Sequence, residues 1–352
     1  MNSKERVISA LTGVIPDRVP YMYCIVEHNI REAILGEKIT YPYARPRADF
    51  GPFVTDLNQP GFMEPSEAID ARVARKLGLD AIGMQFFPPF FVKTKETDDG
   101  HYHIASGLLN NLDAIRKMVL PDPDDEAIYS YAKGFVKEYK DEFALYARIR
   151  IGVSFLLNCM GLEEFSYAMF DEPETIHELL GTYSAWVKRI IRNLKEVGFD
   201  FFWAFDDLAY NSMPMFSADT FDEFFLPHLK GVADTIEKPW IFHSDGNILP
   251  ILDSLKKLGM NGIHPLEPGC MDLSELKKNY GKDLTLIGNI DINYTLTSAT
   301  RNEVFQTVKE RIEQLGPGGR YIISDSNSIP SYCSPRNIMY MAEAVREYGH
   351  IY

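Results

Sequence analysis

Histidine and acidic residues follow apolar runs at several points of this chain, and these residue types suit metal binding or acid–base chemistry. The clearest case is residues 240–246 (WIFHSDG), in which an apolar run is followed by polar residues and a glycine. Short apolar runs that end in a turn are typical of buried strands. We therefore expect His243 and Asp245 at the carboxyl end of a strand, where α/β folds carry their chemistry.

Polar residues end the other apolar runs as well. They are Gln85, Arg148, Arg150, Asp206, Asp207, Glu267, Asn289, Asp291, Ser324, Asp325, Ser326 and Asn327. The strand ends of an α/β fold can meet around one opening, which we call the mouth. A folded protein would not gather so many carboxylates there without a cation or a polar ligand to compensate their charge. The pattern therefore indicates a binding site where the strand ends meet.

Zinc is the cation that these residue types suit. It accepts nitrogen and oxygen donors, and catalytic sites offer it three protein ligands and one open position. We name His243, Asp207, Asp222 and Glu267 as candidate metal ligands, and Asp207, His243, Asp245 and Glu267 as candidate catalytic residues. Two alternatives stay open. His243 and an aspartate could move protons without a metal, or His243 could be a hydrogen-bonded histidine at a rim.

The pair Asp206 and Asp207 is expected to contribute only one ligand. Consecutive strand residues point to opposite sides of a sheet, so one carboxylate faces the mouth and its neighbour faces away. We prefer Asp207 for the mouth. Asp206 then caps the following segment or pairs with an arginine.

Eight strands position these residues in our interpretation. They are residues 21–25, 79–86, 144–151, 199–205, 240–243, 262–267, 284–291 and 320–324. Helices are predicted at 3–12, 66–77, 172–197, 219–236, 248–258, 272–279, 303–315 and 335–347. Alternating strands and helices predict an α/β fold with a parallel sheet, and eight such units predict a (β/α)8 TIM barrel.

The predicted barrel forms a single domain over residues 1–352, with an N-terminal extension and an inserted hairpin region. Residues 27–65 look irregular, and residues 92–104 predict a hairpin around the turn at 98–100. His101 and His103 alternate in that hairpin, and surface histidines are commoner there than metal ligands.

Composition limits the classes of partner and location. The chain has 352 residues, 45% of them hydrophobic, and a net charge of −14, which argues against nucleic acid and anionic membranes as partners. Four scattered cysteines without a C-x-x-C pair make disulfides unexpected, so we expect a cytoplasmic protein. The N-terminus resembles no signal peptide, and no apolar run is long enough to span a membrane.

Several stretches resemble the uroporphyrinogen decarboxylase-like superfamily, and within it the cobamide (corrinoid)-dependent methyltransferases. They are residues 5–11 (ERVISAL), 16–20 (PDRVP), 205–208 (FDDL), 243–247 (HSDGN), 264–268 (HPLEP), 286–291 (LIGNID) and 317–322 (PGGRYI). The resemblance covers nearly the whole chain. It implies a (β/α)8 barrel, in agreement with the strand count.

Two departures from the family pattern narrow the expected activity. Decarboxylases of the family carry an N-terminal arginine-rich motif that binds the porphyrinogen carboxylates, and residues 21–25 contain no arginine. Many zinc methyltransferases of the family have a His-x-Cys pair and a later cysteine. Here Asp245 stands two residues after His243, and Cys333 lies beyond the eighth strand. This chain is more similar to O-demethylase-type methyltransferases, whose zinc ligands are spaced much like Asp207, Asp222 and His243, with glutamates in place of the aspartates.

The resemblance implies a zinc-dependent methyltransferase. It would move a methyl group from a methoxylated aromatic compound to the cob(I)alamin of a corrinoid partner protein. Asn289, Asp291, Ser324 and Asn327 are assigned to cofactor binding, and a homodimer is expected. Methylamines, betaines, methanol and thiols remain alternative donors. A uroporphyrinogen decarboxylase-like decarboxylase or lyase and a non-catalytic binding protein also remain open.

Overall fold

A curled sheet of eight strands forms the centre of the molecule. The computed structural model describes residues 1–39, 52–96 and 102–352. Its strands are β1 (Phe53–Val54), β2 (Ser66–Glu67), β3 (Ala81–Gln85), β4 (Phe90–Glu96), β5 (Tyr102–Gly107), β6 (Ala144–Arg150), β7 (Phe201–Phe205), β8 (Trp240–His243), β9 (Gly262–His264), β10 (Thr285–Ile287) and β11 (Tyr321–Ile322).

The main sheet has the order β11-β10-β9-β8-β7-β6-β3-β2. Each neighbouring pair is parallel except β2 with β3, which is antiparallel. Arg150, Phe205, His243 and His264 are aligned across β6, β7, β8 and β9. Aligned residues of parallel strands point to the same side, so these four side chains share one face at the strand ends.

An N-terminal segment takes the remaining position of the barrel. Tyr21 and Val26 form parallel bridges with Ile323 and Ile329, just beyond β11. On the other side, the backbone N–H of Asp80 donates to the carbonyl of Tyr21 at 2.7 Å, next to β3. The segment around residues 21–26 therefore acts as the first strand. With β3 and β6 to β11 it completes the (β/α)8 barrel that the sequence predicts.

Helices surround the sheet. They are α1 (Ser3–Thr12), α2 (His28–Leu35), α3 (Ala71–Leu77), α4 (Leu112–Lys117), α5 (Glu126–Tyr139), α6 (Val153–Met160), α7 (Leu162–Asp171), α8 (Pro173–Val197), α9 (Ala218–Thr220), α10 (Leu226–Ala233), α11 (Leu252–Lys256), α12 (Leu273–Tyr280), α13 (Arg301–Leu315) and α14 (Pro335–Tyr348). In the described part of the chain no helix has the length and apolar character needed to cross a bilayer.

The long helix α8 shows why these segments are helical. Pro173 lies in its first turn, where a missing N–H costs nothing, and Gly198 ends it with a left-handed φ of 104°. Its apolar stripe, which includes Ile176, Leu180 and Val187, is fully buried against the barrel. Burial of that stripe, more than helix propensity, stabilises the helix in place.

Three of the predicted elements differ in the structure. Residues 66–77 begin with strand β2 and become helical only at α3, because the Asp70 side chain caps that helix by accepting the N–H of Arg72. Residues 27–65 were expected to be irregular, but they contain α2. The predicted helix at 219–236 is split into α9, a π-helical turn at Phe221–Phe225, and α10.

The inserted hairpin is confirmed. Strands β4 and β5 pair antiparallel, and β1 adds a third strand parallel to β4. His103 is exposed on β5. His101 and the expected turn at 98–100 lie outside the described residues. The segment before β4 carries Phe87, and β4 begins with Phe90. Both aromatic rings lie against arginines from the end of β6.

Candidate metal centre

His243 lies at the carboxyl end of β8 with its imidazole almost completely buried. One face of its ring stacks on Phe205, with ring centroids 4.3 Å apart. Its Nδ1 lies 2.7 Å from Nδ1 of His264, the residue aligned with it on β9. The ring is therefore fixed by its neighbours, and Nε2 is the nitrogen left for other chemistry.

Two carboxylates approach Nε2 of His243. Oδ1 of Asp207 and Oδ1 of Asp245 are each 3.6 Å from it. The donor atoms of Asp207, His243 and Asp245 all lie within 4.8 Å of one another. Among residues 1–39, 52–96 and 102–352, this trio is the one cluster of His, Cys, Asp or Glu side chains with such a spacing.

The spacing of the trio suits a tetrahedral metal ion. Zinc bonds to nitrogen and oxygen of about 2.0–2.2 Å place neighbouring ligand atoms roughly 3.3 Å apart in a tetrahedron. The two distances of 3.6 Å are close to that value. Oδ1 of Asp245 is also buried without a hydrogen-bond partner, which is costly unless a cation or proton compensates it. The trio therefore fits a metal with one position left open.

The His243–His264 contact is compatible with the tautomers that metal binding requires. If Nε2 of His243 is a ligand, its proton is on Nδ1, which then donates to Nδ1 of His264. His264 is in turn held edge-on against Trp203, with ring centroids 4.9 Å apart. A hydrogen-bond partner of this kind fixes the orientation of a ligand histidine and increases its basicity.

Asp206 and Asp207 point to opposite sides, as strand alternation predicts. Asp206 is completely buried and accepts the backbone N–H groups of Val153 and Ser154 at the start of α6. The Ser154 hydroxyl accepts the backbone N–H of Asp207 at 2.9 Å. One aspartate thus anchors a helix N-terminus while the other faces the mouth, where its side chain is 47% exposed.

The loop after β8 is held from two sides. Oε2 of Glu267 accepts the backbone N–H of Gly246 at 2.9 Å, and the Asn327 amide donates to Oδ2 of Asp245 at 2.6 Å. Glu267 lies beside the trio and orients the loop that carries Asp245. Asn327, assigned from sequence to cofactor binding, also orients Asp245.

Other predicted site residues have different surroundings. Asp222 lies in the π-helical turn and forms an ion pair with Lys257, so the structure does not bring it to His243. The Asn289 amide donates to the carbonyl of Leu266 at 2.6 Å. Asp291 accepts backbone N–H groups of residues 293–295 in its own turn. The Ser324 hydroxyl donates to Asp325 at 2.8 Å.

Loss of solvation controls the protonation of the mouth. Burial, with the negative charges of Asp207 and Glu267, raises the pKa of Asp245 to about 8. Partial loss of solvation inside the mouth also raises the pKa of Asp207, although its side chain is half exposed, and the positive charge of Arg150 opposes that rise. The pKa of His243 is well below its usual value because the ring is buried near His264 and two arginines. His243 is therefore neutral and able to act as a ligand.

Two arginines from β6 lie among aromatic rings next to the trio. The Arg148 guanidinium is 4.3 Å from the Phe205 ring centroid and donates to Gln85 at 2.8 Å. The Arg150 guanidinium is 4.4 Å from the Phe87 centroid and 5.2 Å from that of Phe90. These residues end the same strand, so their side chains share the face that carries His243.

Sequence reasoning named the strand ends but not these relationships. Nothing in the sequence indicated that His264 would meet His243, and Arg148 and Arg150 were noted only as polar residues that end an apolar run. Strand residues two positions apart point to the same face of a sheet, so the spacing of Arg148 and Arg150 could have placed both side chains on the face that lines the mouth.

Comparison with known proteins identifies the family of this chain. Residues 95–348 match the model of the uroporphyrinogen decarboxylase (URO-D) family. Uroporphyrinogen decarboxylase of Shewanella piezotolerans is 22% identical over 259 residues, which cover 68% of this chain and 69% of that protein. Uroporphyrinogen decarboxylase 2 of Oryza sativa subsp. japonica is 22% identical over 183 residues, or 50% and 44% of the two chains. A methyltransferase from Methanosarcina mazei has a similar fold, with a TM-score of 0.70, 15% identity and 99% of each chain covered. This barrel with a histidine and two carboxylates at its mouth therefore belongs to the uroporphyrinogen decarboxylase family.

Proposed function

We propose that this protein is a zinc-dependent methyltransferase. It would transfer the methyl group of a methoxylated aromatic compound to the cob(I)alamin of a corrinoid partner protein. The observation that carries the proposal is the convergence of Nε2 of His243 with one oxygen each of Asp207 and Asp245, at 3.6 Å. The second nitrogen of the imidazole is already used by His264. This leaves three ligands and one open position, the pattern of catalytic zinc.

The chemistry explains why such a site is needed. A methyl ether is inert because its oxygen is a poor leaving group. Zinc bound to His243, Asp207 and Asp245 would act as a Lewis acid that stabilises the negative charge on that oxygen. In the proposed reaction the methyl–oxygen bond breaks, the methyl group passes to cobalt(I), and the oxygen leaves as a phenolate. The cob(I)alamin of the partner would supply the electron pair of the new bond, so no nucleophilic side chain of this protein would be required.

The residues of the mouth have separate tasks in this proposal. His264 holds the tautomer and orientation of His243, and Asn327 holds Asp245. Glu267 fixes the backbone between them through Gly246. The side chains of Asp207 and Asp245 are 47% and 31% exposed, so a substrate can reach the trio from solvent. The Methanosarcina mazei protein of the same fold is a methyltransferase, which agrees with this reading.

A decarboxylase is the second candidate, because the curated relatives are named uroporphyrinogen decarboxylases. The charge of the mouth argues against a porphyrinogen with several carboxylates. Asp207, Asp245 and Glu267 lie together there, and the first strand, residues 21–25, supplies no arginine. A substrate with one carboxylate remains compatible with the two arginines of β6.

One assay separates the two candidates. The purified protein is analysed for bound zinc and then mixed with cob(I)alamin and a panel of methoxyarenes, methylamines and methanol, while methylcobalamin is followed by its absorbance. We expect zinc at one equivalent and turnover on phenyl methyl ethers. Methyl transfer by protein free of zinc would refute the zinc mechanism. Turnover only on amines or methanol would show that the methyl donor is an amine or methanol and not an aromatic methyl ether. Carbon dioxide release from uroporphyrinogen without methyl transfer would select the decarboxylase.

A further inference from the structure

We propose that Arg148 and Arg150 form a carboxylate-binding site, so that the methyl donor is a methoxylated aromatic acid. This inference rests on the proposed function for the identity of the donor. The anion site itself rests on the arginines. Both end strand β6, and both are 5% exposed.

Arg150 is buried, and it has no counter-ion among the residues that the structure describes. Within the described residues its guanidinium makes neither a hydrogen bond nor an ion pair of 4.0 Å or less, and its Nε is buried without a partner. Burial even lowers the pKa of this arginine. A buried charge without a partner is one of the most expensive features in a protein interior. Such a group is retained where a ligand supplies the missing charge.

The aromatic rings around Arg150 supply no hydrogen-bond acceptor. Phe87 and Phe90 lie 4.4 Å and 5.2 Å from the guanidinium carbon, so they provide cation–π contacts. Phenylalanine rings carry no oxygen or nitrogen acceptor, so these contacts do not satisfy the N–H donors of the guanidinium with conventional hydrogen bonds. Arg148 also contacts Phe87, at 5.1 Å, and so the two guanidinium groups share one aromatic neighbour.

The two carboxylates whose charges act on Arg150 contact other groups. Asp206 and Asp207 are the acidic groups whose charges Arg150 feels most strongly. Both oxygens of Asp206 accept N–H groups at the start of α6. Oδ1 of Asp207 faces Nε2 of His243. If Asp207 binds the metal, Arg150 still lacks an anion, and a planar carboxylate matches its forked donors in a bidentate pair.

The arginines lie on the same face as the metal trio. Arg150, Phe205 and His243 are aligned on three adjacent strands, and Phe205 stacks on His243 while its ring also lies 4.3 Å from the Arg148 guanidinium. Strands about 4.8 Å apart place the backbones of Arg150 and His243 roughly 10 Å from each other. A benzene ring that carries a carboxylate at one end and a methoxy group at the other can span that separation.

Binding and methyl transfer are measured separately to test the site. Titration calorimetry compares benzoate, 4-methoxybenzoate and uncharged methoxybenzene with the zinc-loaded wild-type protein, with Arg150→Met, and with Arg192→Met as the control. Arg192 is exposed on α8. We expect the two carboxylates to bind the wild-type protein and the control equally, and to bind Arg150→Met about 10–100-fold more weakly. Methoxybenzene should bind the three proteins alike.

A thermal scan gives a second readout that does not need a ligand. If Arg150 lacks a partner in the free protein, Arg150→Met should unfold at the same or a higher temperature than the wild type, because it removes an uncompensated buried charge. The upward shift that benzoate gives the wild type should be lost. Should Arg150→Met fail to fold, Arg150→Lys and Arg148→Met are used for the same titrations. A benzoate-induced shift as large in Arg150→Met as in the wild type would overturn the site.

The outcomes distinguish this inference from the proposed function. Carboxylate binding that depends on Arg150, without methyl transfer, would support the anion site and refute the methyltransferase. Methyl transfer from methoxybenzene as fast as from 4-methoxybenzoate, with no effect of Arg150→Met, would support the methyltransferase and overturn the anion site. Carboxylate affinities equal in the wild type and Arg150→Met would also overturn it.

Discussion

Replacement of His264 by leucine tests the proposed metal centre without removing a ligand. The change deletes the partner of Nδ1 of His243, which lies 2.7 Å away, and leaves Asp207, His243 and Asp245 in place. Leucine fills a similar volume beside Trp203 and offers no hydrogen bond. We therefore expect the protein to fold and to bind zinc more weakly.

The expected loss of zinc affinity in His264→Leu follows from the buried hydrogen bond that this variant removes. In His264→Leu the Nδ1–H of His243 has no acceptor, and a buried donor without a partner costs about 1–3 kcal/mol. Loss of the partner of a ligand histidine typically weakens metal binding about 10–100-fold. That range corresponds to about 1.4–2.8 kcal/mol, so the two estimates agree. Replacement of His243 itself, a direct ligand, should abolish stoichiometric zinc binding.

Competition with a coloured chelator measures the zinc affinity of each metal-free protein. His177→Leu is the matched control, because His177 and His228 form a similar ring contact at 3.1 Å on the surface, between α8 and α10. We expect less than a twofold change in the control. If His264→Leu bound zinc as tightly as the wild type, the argument from the histidine pair would be refuted. If His243→Ala kept its zinc, the trio would not be the metal site, and the acid–base role of His243 would be preferred.

Three further predictions concern the metal ligands, the buried ion pairs of Asp80 and the protonation of Asp325. Asp245→Asn should lose most of its zinc affinity, as measured by metal analysis after dialysis. Asp222→Asn, which breaks the ion pair with Lys257, should keep it. Loss of zinc in Asp222→Asn with retention in Asp245→Asn would instead favour the ligand set proposed from sequence. Asp80→Ala should lower the free energy of unfolding in urea by about 3–5 kcal/mol, since Asp80 is buried and pairs with Arg6 and Arg18. Glu142→Ala, at the exposed pair with Arg75, should cost under about 1 kcal/mol, and a similar cost for both variants would contradict the prediction. Burial raises the pKa of Asp325 to about 7, so between roughly pH 4 and pH 7 the folded protein holds a proton that the unfolded chain has released. Stability of the wild type relative to Asp325→Asn should therefore fall across that window, by up to about 1.4 kcal/mol per pH unit, and parallel stability curves would disprove the shift.

The strands were predictable because each is an apolar run buried on both faces. The polar residues at their ends identify the mouth for the same reason, since His243 and Asp207 stand where an apolar run stops. Strand alternation also separated Asp206 from Asp207. These inferences need only local patterns along the chain. They account for the barrel and for all three residues of the trio, although Asp245 was named as a catalytic residue and not as a metal ligand.

The pairing of residues from different strands was harder to predict. His264 meets His243 because β8 and β9 are in a register that no local pattern of the sequence encodes. Glu267 lies three residues beyond β9, so the path of the loop decides where its carboxylate points, and it reaches Gly246. Asp222 was named from its spacing along the chain, but a π-helical turn directs it to Lys257.

The barrel strand formed by residues 21–26 has a consequence for the order in which the protein folds. Tyr21 and Val26 pair with Ile323 and Ile329, so the two ends of the chain meet within one barrel. During synthesis the N-terminal strand has β3 available early, but its other neighbour leaves the ribosome about three hundred residues later. Contacts of such long sequence separation are slow to form. Until then the edge of the first strand is unpaired, and a nascent chain truncated before residue 323 is the form most exposed to aggregation.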